Sequence, residues 1–214
     1  MPIGSIVLAG GQSSRFGADK CAETIAGRTL IETVIGHLSS LSSEILIVVS
    51  GGQSRSLHLH PMARTVGDLY LGKGSLGGLH AGLTYSTCSH SLAVACDMPF
   101  LNLDLLRHMI ELSPDFDVVI PRVGDKKEPL HAIYSKDCLR PIETLLEQGD
   151  LRITRLCDTM RVRYIDENEI DRFDPKHLSF LNVNTQGDLT GARRLAELGI
   201  SSEHNDGVSR DRQG

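Results

Sequence analysis

The chain has 214 residues, of which 40% are hydrophobic and 23% charged, and a formal net charge of −5. That length and apolar content fit one domain with a sizeable core, and the acidic balance excludes broad nucleic-acid binding, which needs a basic face. No apolar run approaches the roughly 18 residues that would span a bilayer, and the amino terminus lacks the basic start and apolar run of a signal peptide.

Ile3 to Leu8 is a short β-branched stretch, the length of one buried strand. It runs directly into Ala9-Gly10-Gly11-Gln12-Ser13-Ser14-Arg15-Phe16-Gly17-Ala18-Asp19-Lys20. Glycines allow positive φ and let backbone N–H groups approach a ligand, and successive N–H groups in such turns form anion-binding concavities. Arg15 can grip two phosphate oxygens and Lys20 adds a point charge. A tight strand-to-helix connection would explain the glycine pair but has no use for the cations, so the loop reads as a polyphosphate cradle. It matches neither G-x-G-x-x-G nor G-x-x-x-x-G-K-[ST]. Cys21 follows Lys20, so no hydroxyl is available there to hold a magnesium ion.

Leu30, Val34, Leu38 and Leu41 recur at helical spacing, and Glu44–Val49 reads as a buried strand. His58 and His60 are spaced to share one strand face, but no third ligand stands near them to make a metal site. A shorter strand is predicted over Ala63–Val66, a loop over Gly67–Ser75 and a helix over Leu76–Tyr85. Ser91–Cys96 is a further buried strand, ended by Asp97-Met98-Pro99. Asn102 is placed to cap a helix carrying Leu105, Leu106, Met109 and Ile110. Asp117–Ile120 and Pro129–Tyr134 read as strands, and Cys138–Gln148 as a helix closed by Gly149. Asp150 is placed to cap a short helix, Arg161–Ile165 alternates like an edge strand, and Phe180–Thr185 reads as a short strand. A last helix runs from Gln186 to Leu198, ended by Gly199, and the polar tail after Ser201 is expected to be disordered.

Apolar strands alternating with helices predict an α/β domain with a mostly parallel sheet covered on both faces, spanning residues 1–200. In such sheets ligands bind at the carboxyl ends of the strands, where the winding reverses. The Gly10–Lys20 loop, Asp97 and the Gly67–Gly78 loop would meet there. Asp97 at a strand tip suits magnesium, which takes one or two carboxylates plus phosphate oxygens and waters. Gly77 and Gly78 offer bare backbone to a flat base, and Asp68 is an acceptor able to match the paired N–H donors of guanine. The five cysteines, Cys21, Cys88, Cys96, Cys138 and Cys157, contain no C-x-x-C, which argues against a disulfide framework or structural zinc and for a reducing cytoplasm.

These blocks resemble one family, the molybdenum cofactor guanylyltransferases, within the nucleotidyltransferases that share a Rossmann-like three-layer domain. The matching stretches are Leu8-Ala9-Gly10-Gly11-x-Ser13-x-Arg15-x-Gly17-x-x-Lys20, Gly74–Leu79, Asp97–Leu101, Glu128–Ala132 and Phe180–Thr185, in the family's order. The resemblance implies transfer of GMP from GTP to the terminal phosphate of Mo-molybdopterin, with magnesium as cofactor and pyrophosphate as second product. It implies that Leu8, Ala9, Gly10 and Gly11 hold the nucleotide, that Arg15 and Lys20 meet the triphosphate, and that Asp68, Gly77 and Gly78 face the guanine. Asp97 would hold the metal; Asn182, Asn184 and His131 would lie on the molybdopterin side. It leaves open transient docking on proteins that deliver molybdopterin or receive the product. Cys21–Ile25 is less apolar than usual, which bears on how the loop packs, and Ser75 stands where the family commonly has proline, which loosens the turn beside the base and bears on nucleotide selectivity; a related transferase using CTP or acting on a sugar phosphate is the nearest alternative. A non-catalytic nucleotide-binding adaptor in molybdoenzyme assembly is the alternative from another class.

Overall fold

The computed structural model of the chain describes residues 2–9, 20–49 and 60–199. Gly10, Gly11, Arg15, His58 and the tail from 201 onward lie outside the described residues, as does the side chain of Lys20. In chain order the elements are β1 (Gly4–Leu8), the hairpin β2 (Thr24–Ile25) and β3 (Arg28–Thr29), α1 (Leu30–Ser39), β4 (Glu44–Val49), β5 (Ala63–Gly67) and α2 (Gly74–Tyr85). They continue with β6 (His90–Ala95), α3 (Leu103–Leu112), β7 (Val118–Val123), β8 (Lys126–Lys127), β9 (His131–Ser135), α4 (Leu139–Gln148), β10 (Val162–Asp166), α5 (Glu167–Ile170) and α6 (Gln186–Glu197).

Eight strands form one sheet in the order β10-β7-β9-β6-β1-β4-β5, with β8 paired to β7. β1, β4, β5 and β6 are mutually parallel neighbours, as are β7 and β10. β9 runs antiparallel between β6 and β7, a departure from the uniform alternation that the sequence suggests. β8 and its turn reverse the chain after β7, so no crossover helix precedes β9 and the two strands pair as a short-range antiparallel unit.

The sheet is buried on both faces. Val7, Ile45, Ile47 and Val94 point into one apolar cluster with Val34 and Leu38 of α1 and Leu105, Leu106 and Met109 of α3. Ile6, Leu46 and Ala93 point into the other, with Leu76, Leu79 and Leu83 of α2 and Ile142 and Leu146 of α4. α6 closes a third cluster, in which Val183, Leu189 and Ala192 meet Ile25, Leu30 and Phe100.

The caps explain where helices start and stop. Thr29 and Glu32 form a capping box at α1, with Glu32 N–H donating to Thr29 Oγ1 at 3.3 Å and Thr29 N–H donating to Glu32 Oε2 at 2.8 Å. Asn102 Oδ1 accepts from Leu105 N–H at 2.8 Å, as predicted, and Gly149 ends α4 at φ 74°. Asp150 does not cap the next helical turn, which spans Ile153–Asp158 behind Arg152; its carboxylate instead binds the Arg152 side chain. Phe180–Thr185 is not a strand. Leu178–Phe180 is a 3-10 turn, and the extended residues after it bond to the site loop through Val183 N–H and Asp97 O at 2.9 Å.

Candidate active site

The chain winds from β1 outward to β4 and β5, then returns to place β6 on the other side of β1. The winding therefore reverses at β1, and the crevice beyond the carboxyl ends of β1 and β6 is the expected ligand position. Register sharpens this. Leu8, Val48, Val66 and Ala95 share one row across four neighbouring strands. The ladder runs one residue further, with Ala9 N–H donating to Val48 O, Asp68 N–H to Val49 O and Cys96 N–H to Leu8 O. Asp68 and Asp97 each stand two residues past the common row, at the same rim, three strand spacings apart, or about 14 Å.

Asp97 is half-buried at the tip of β6, and the chain leaves it through Met98, Pro99 and Phe100, all buried. Lys20 opens the 3-10 turn Lys20–Ala22. Its neighbour Cys21 is joined to Cys96, the neighbour of Asp97, as a disulfide with Cα atoms 5.9 Å apart. Adding one Cα–Cα step of about 3.8 Å at each end puts the Cα atoms of Lys20 and Asp97 within about 13.5 Å of each other. The turn that carries Lys20 and the strand that carries Asp97 thus share one rim, as the phosphate-cradle reading requires. The cysteine spacing had argued against a disulfide framework, and this one pair is not a framework; no local sequence signal announces a partner 75 positions away.

On the other side of β1, Asp68 accepts from Tyr70 N–H at 2.9 Å, and partial burial raises its carboxyl above the ordinary value. The 68–73 loop folds over the first turn of α2. A Cβ placed on Gly77 would lie 2.9 Å from Tyr70 O and 3.2 Å from Asp68 Oδ1, so glycine is what lets this loop close. Gly78 is packed against Leu8, with a Cβ there 3.0 Å from Leu8 Cδ2. Both glycines are buried, and close packing alone accounts for them. Behind Asp68, His80 is buried on α2, edge-on to the Tyr70 ring at 4.8 Å, with Nε2 3.2 Å from Glu143 Oε1 of α4. Sequence reading singled out neither Tyr70 nor His80; the signal available was a histidine one helical turn beyond Gly77.

The third side of the rim comes from 180–185. Asn182 is half-buried, its amide donating to Phe180 O at 3.0 Å, and Asn184 is exposed, with Asp188 Oδ2 accepting from its N–H at 3.0 Å. His131 pairs with Val94 in register and so sits one row below Ala95, well beneath Asp97. It has no exposed surface, neither ring nitrogen has a partner, and its ring stands edge-on to Phe180 at 5.0 Å. Burial pulls its pKa down to about 3, so it is neutral. His131 thus packs against Phe180 from within the core. Among the described residues, no three His, Cys, Asp or Glu are grouped to hold a metal ion, and no helix is long and apolar enough to cross a membrane.

Residues 5–162 match the MobA-like NTP transferase domain. A probable molybdenum cofactor guanylyltransferase of Pelotomaculum thermopropionicum is 38% identical over 193 residues, covering 90% of this chain and 92% of its own length. The molybdenum cofactor guanylyltransferase of Desulfosudis oleivorans is 35% identical over 92% of this chain and 97% of its own. Among solved structures, the molybdopterin-guanine dinucleotide biosynthesis protein A of Archaeoglobus fulgidus superposes with a TM-score of 0.79 at 29% identity, over 92% of this chain and all of that one. The 2-C-methyl-D-erythritol 4-phosphate cytidylyltransferase of Thermus thermophilus, at 15% identity and a TM-score of 0.66 over 92% of this chain and all of its own, shares the fold. With three quarters of its length matched to that domain and near-full-length relatives above 30% identity, the chain belongs to the MobA-like NTP transferase family.

Proposed function

We propose that the chain transfers GMP from GTP to the terminal phosphate of Mo-molybdopterin, releasing pyrophosphate. The observation that carries the reading is the common rim of β5, β1 and β6, where Asp68, the exit of β1 and Asp97 stand in one line. The near-full-length relatives named as molybdenum cofactor guanylyltransferases support the choice of substrates.

In this reading Asp68 accepts from the ring N1–H and the exocyclic amine of guanine, a pairing that adenine and cytosine do not offer. Leu8, Ala9, Gly10 and Gly11 bind the nucleotide through their main chain, and Gly77 and Gly78 border the base. Arg15 and Lys20 neutralise the triphosphate and stabilise the departing pyrophosphate. Asn182 and Asn184 hold the molybdopterin side, with His131 fixing Phe180 beneath them. The attacking phosphate monoester has a second pKa of about 6 and arrives largely ionised, so no general base is needed. What the protein contributes is the alignment of two anions and relief of their repulsion.

A single carboxylate at a strand tip beside nucleotide phosphates is the hard-oxygen donor set that magnesium takes, so Asp97 fits as its protein ligand. When bound, magnesium supplies charge neutralisation at the phosphate oxygens. The reading places the protein in the cytoplasm.

The test incubates purified protein with magnesium, GTP and Mo-molybdopterin and identifies the product by mass spectrometry. Parallel reactions with CTP and ATP report selectivity. A guanine dinucleotide product with equimolar pyrophosphate is expected. Preference for CTP overturns the guanine assignment, and GTP binding without turnover favours the adaptor.

A further inference from the structure

Cys21 and Cys96 come from segments 75 residues apart and meet with Cα atoms 5.9 Å apart, inside the range a disulfide requires. Each is the immediate chain neighbour of a charged residue of the site, Lys20 and Asp97 respectively. Cys21 Sγ also lies 4.0 Å from the carbonyl oxygen of Ala9, where β1 gives way to the glycine-rich loop. One sulfur pair therefore touches all three segments that frame the triphosphate side of the rim.

The pair is not a staple that the fold needs. Apolar clusters cover both faces of the sheet, and pairs that compensate for a small core occur in dense sets in small secreted domains. The other three cysteines are free and form no pair among the described residues. Cys88 and Cys138 are buried, burial pushes the Cys138 thiol up to about 12, and it raises that of half-buried Cys157. Cys21 and Cys96, at 8% and 7% exposure, are no more open than Cys88 at 6% and admit only a small oxidant; what sets them apart is that each has the other within disulfide reach.

We propose that Cys21 and Cys96 are a reversible oxidation site that gates the active site: their disulfide pins the Lys20 turn to the Asp97 strand tip and slows turnover. The oxidant is a hydroperoxide. One thiolate attacks the peroxide oxygen, giving a sulfenic acid and an alcohol (water, for hydrogen peroxide). The second thiol then displaces water from that sulfur to form the S–S bond. Two thiols lose two electrons and two protons, and the peroxide O–O bond takes them up. A dithiol reductant reverses the step through a mixed disulfide. Slowing follows from position. In this proposal substrate entry and pyrophosphate release move the two segments relative to each other, and release steps limit many well-evolved enzymes. A misplacement of 1 Å costs on the order of a hundredfold in rate. A covalent tie one residue from each charged group acts on this scale.

The effect on turnover rests on the proposed guanylyl transfer; bond formation does not. Full-length protein is titrated with hydrogen peroxide and then with dithiothreitol. Non-reducing peptide mapping measures the Cys21–Cys96 linked fraction, and pyrophosphate release from GTP and molybdopterin is followed in parallel. As the linked fraction goes from none to complete, kcat is expected to fall at least tenfold and to return on reduction. Cys21→Ser and Cys96→Ser should be indifferent to peroxide, with Cys96→Ala as the replacement if serine does not fold. Absence of the linked peptide at full oxidation overturns the proposal, as does a linked form whose kcat is unchanged or higher. If the reduced protein transfers no guanylyl group, the functional reading fails, and magnesium–GTP affinity by calorimetry decides the gate. It is expected to weaken at least fivefold on linking, and an unchanged affinity overturns it.

Discussion

Replacing His131 with leucine isolates a pH dependence that the fold builds into its centre. His131 is fully buried and neither ring nitrogen has a partner, so its charged form is excluded and its pKa lies at about 3 against an ordinary 6.5. As pH falls below 6.5, the unfolded chain takes up a proton here that the folded chain refuses, and stability is lost until pH reaches about 3. At pH 5 the loss from this one residue is about 2 kcal/mol, and the full displacement is worth about 5 kcal/mol. For a chain of this size, 2 kcal/mol corresponds to about 4–8 °C in Tm. Urea unfolding of wild type and His131→Leu at pH 7.5 and pH 5 measures it, since the other titrating groups cancel in the comparison. The variant should lose about 2 kcal/mol less between the two pH values, and at pH 7.5 it should be as stable as wild type or more so, because an unsatisfied buried polar ring is removed. Equal losses in both proteins would refute the reasoning and mean that His131 is hydrated or paired.

Asp97→Ala should abolish nucleotidyl transfer, and it leaves in place the main-chain carbonyl that accepts from Val183 N–H; retention of near-normal GTP-dependent activity counts against its role. Lys20→Ala should do the same to turnover in the same assay. Gly77→Ala should raise KM for GTP about tenfold and lower Tm as well: the new methyl would stand 2.9 Å from the main-chain Tyr70 O and 3.2 Å from Asp68 Oδ1, so the loop must shift to admit it, which outweighs the helix propensity of about 1 kcal/mol that alanine adds. Unchanged KM would show that Asp68 does not read the base. Asn102→Ala should cost about 2–3 kcal/mol in urea unfolding, since it removes the α3 cap and the amide that donates to Phe173 O at 2.9 Å.

Much of the architecture is written locally. Strand and helix periodicity placed β1, β4, β6 and α1 to within a residue or two. The Asn102 and Gly149 ends were legible because a cap is a bond between residues a few positions apart. Phe180–Thr185 misled for the opposite reason: its apolar alternation suits a strand, but its one bond to the site loop goes to Asp97 O, and no local pattern reveals a partner 86 positions back. Asp150 misled because Arg152, two residues on, outcompetes the helix end for its carboxylate.

The sequence by itself determined the class of chemistry. A strand, a glycine-rich loop with two cations and an aspartate at a strand tip are short-range patterns, and they carried the family with them. Only the tertiary structure decided which of those residues share a rim. The antiparallel entry of β9 buried His131, the parallel register brought Asp68 level with Asp97, and the fold joined Cys21 to Cys96. These depend on pairing and packing between segments far apart in the chain, where the deciding energies belong to the assembled sheet rather than to any stretch of residues.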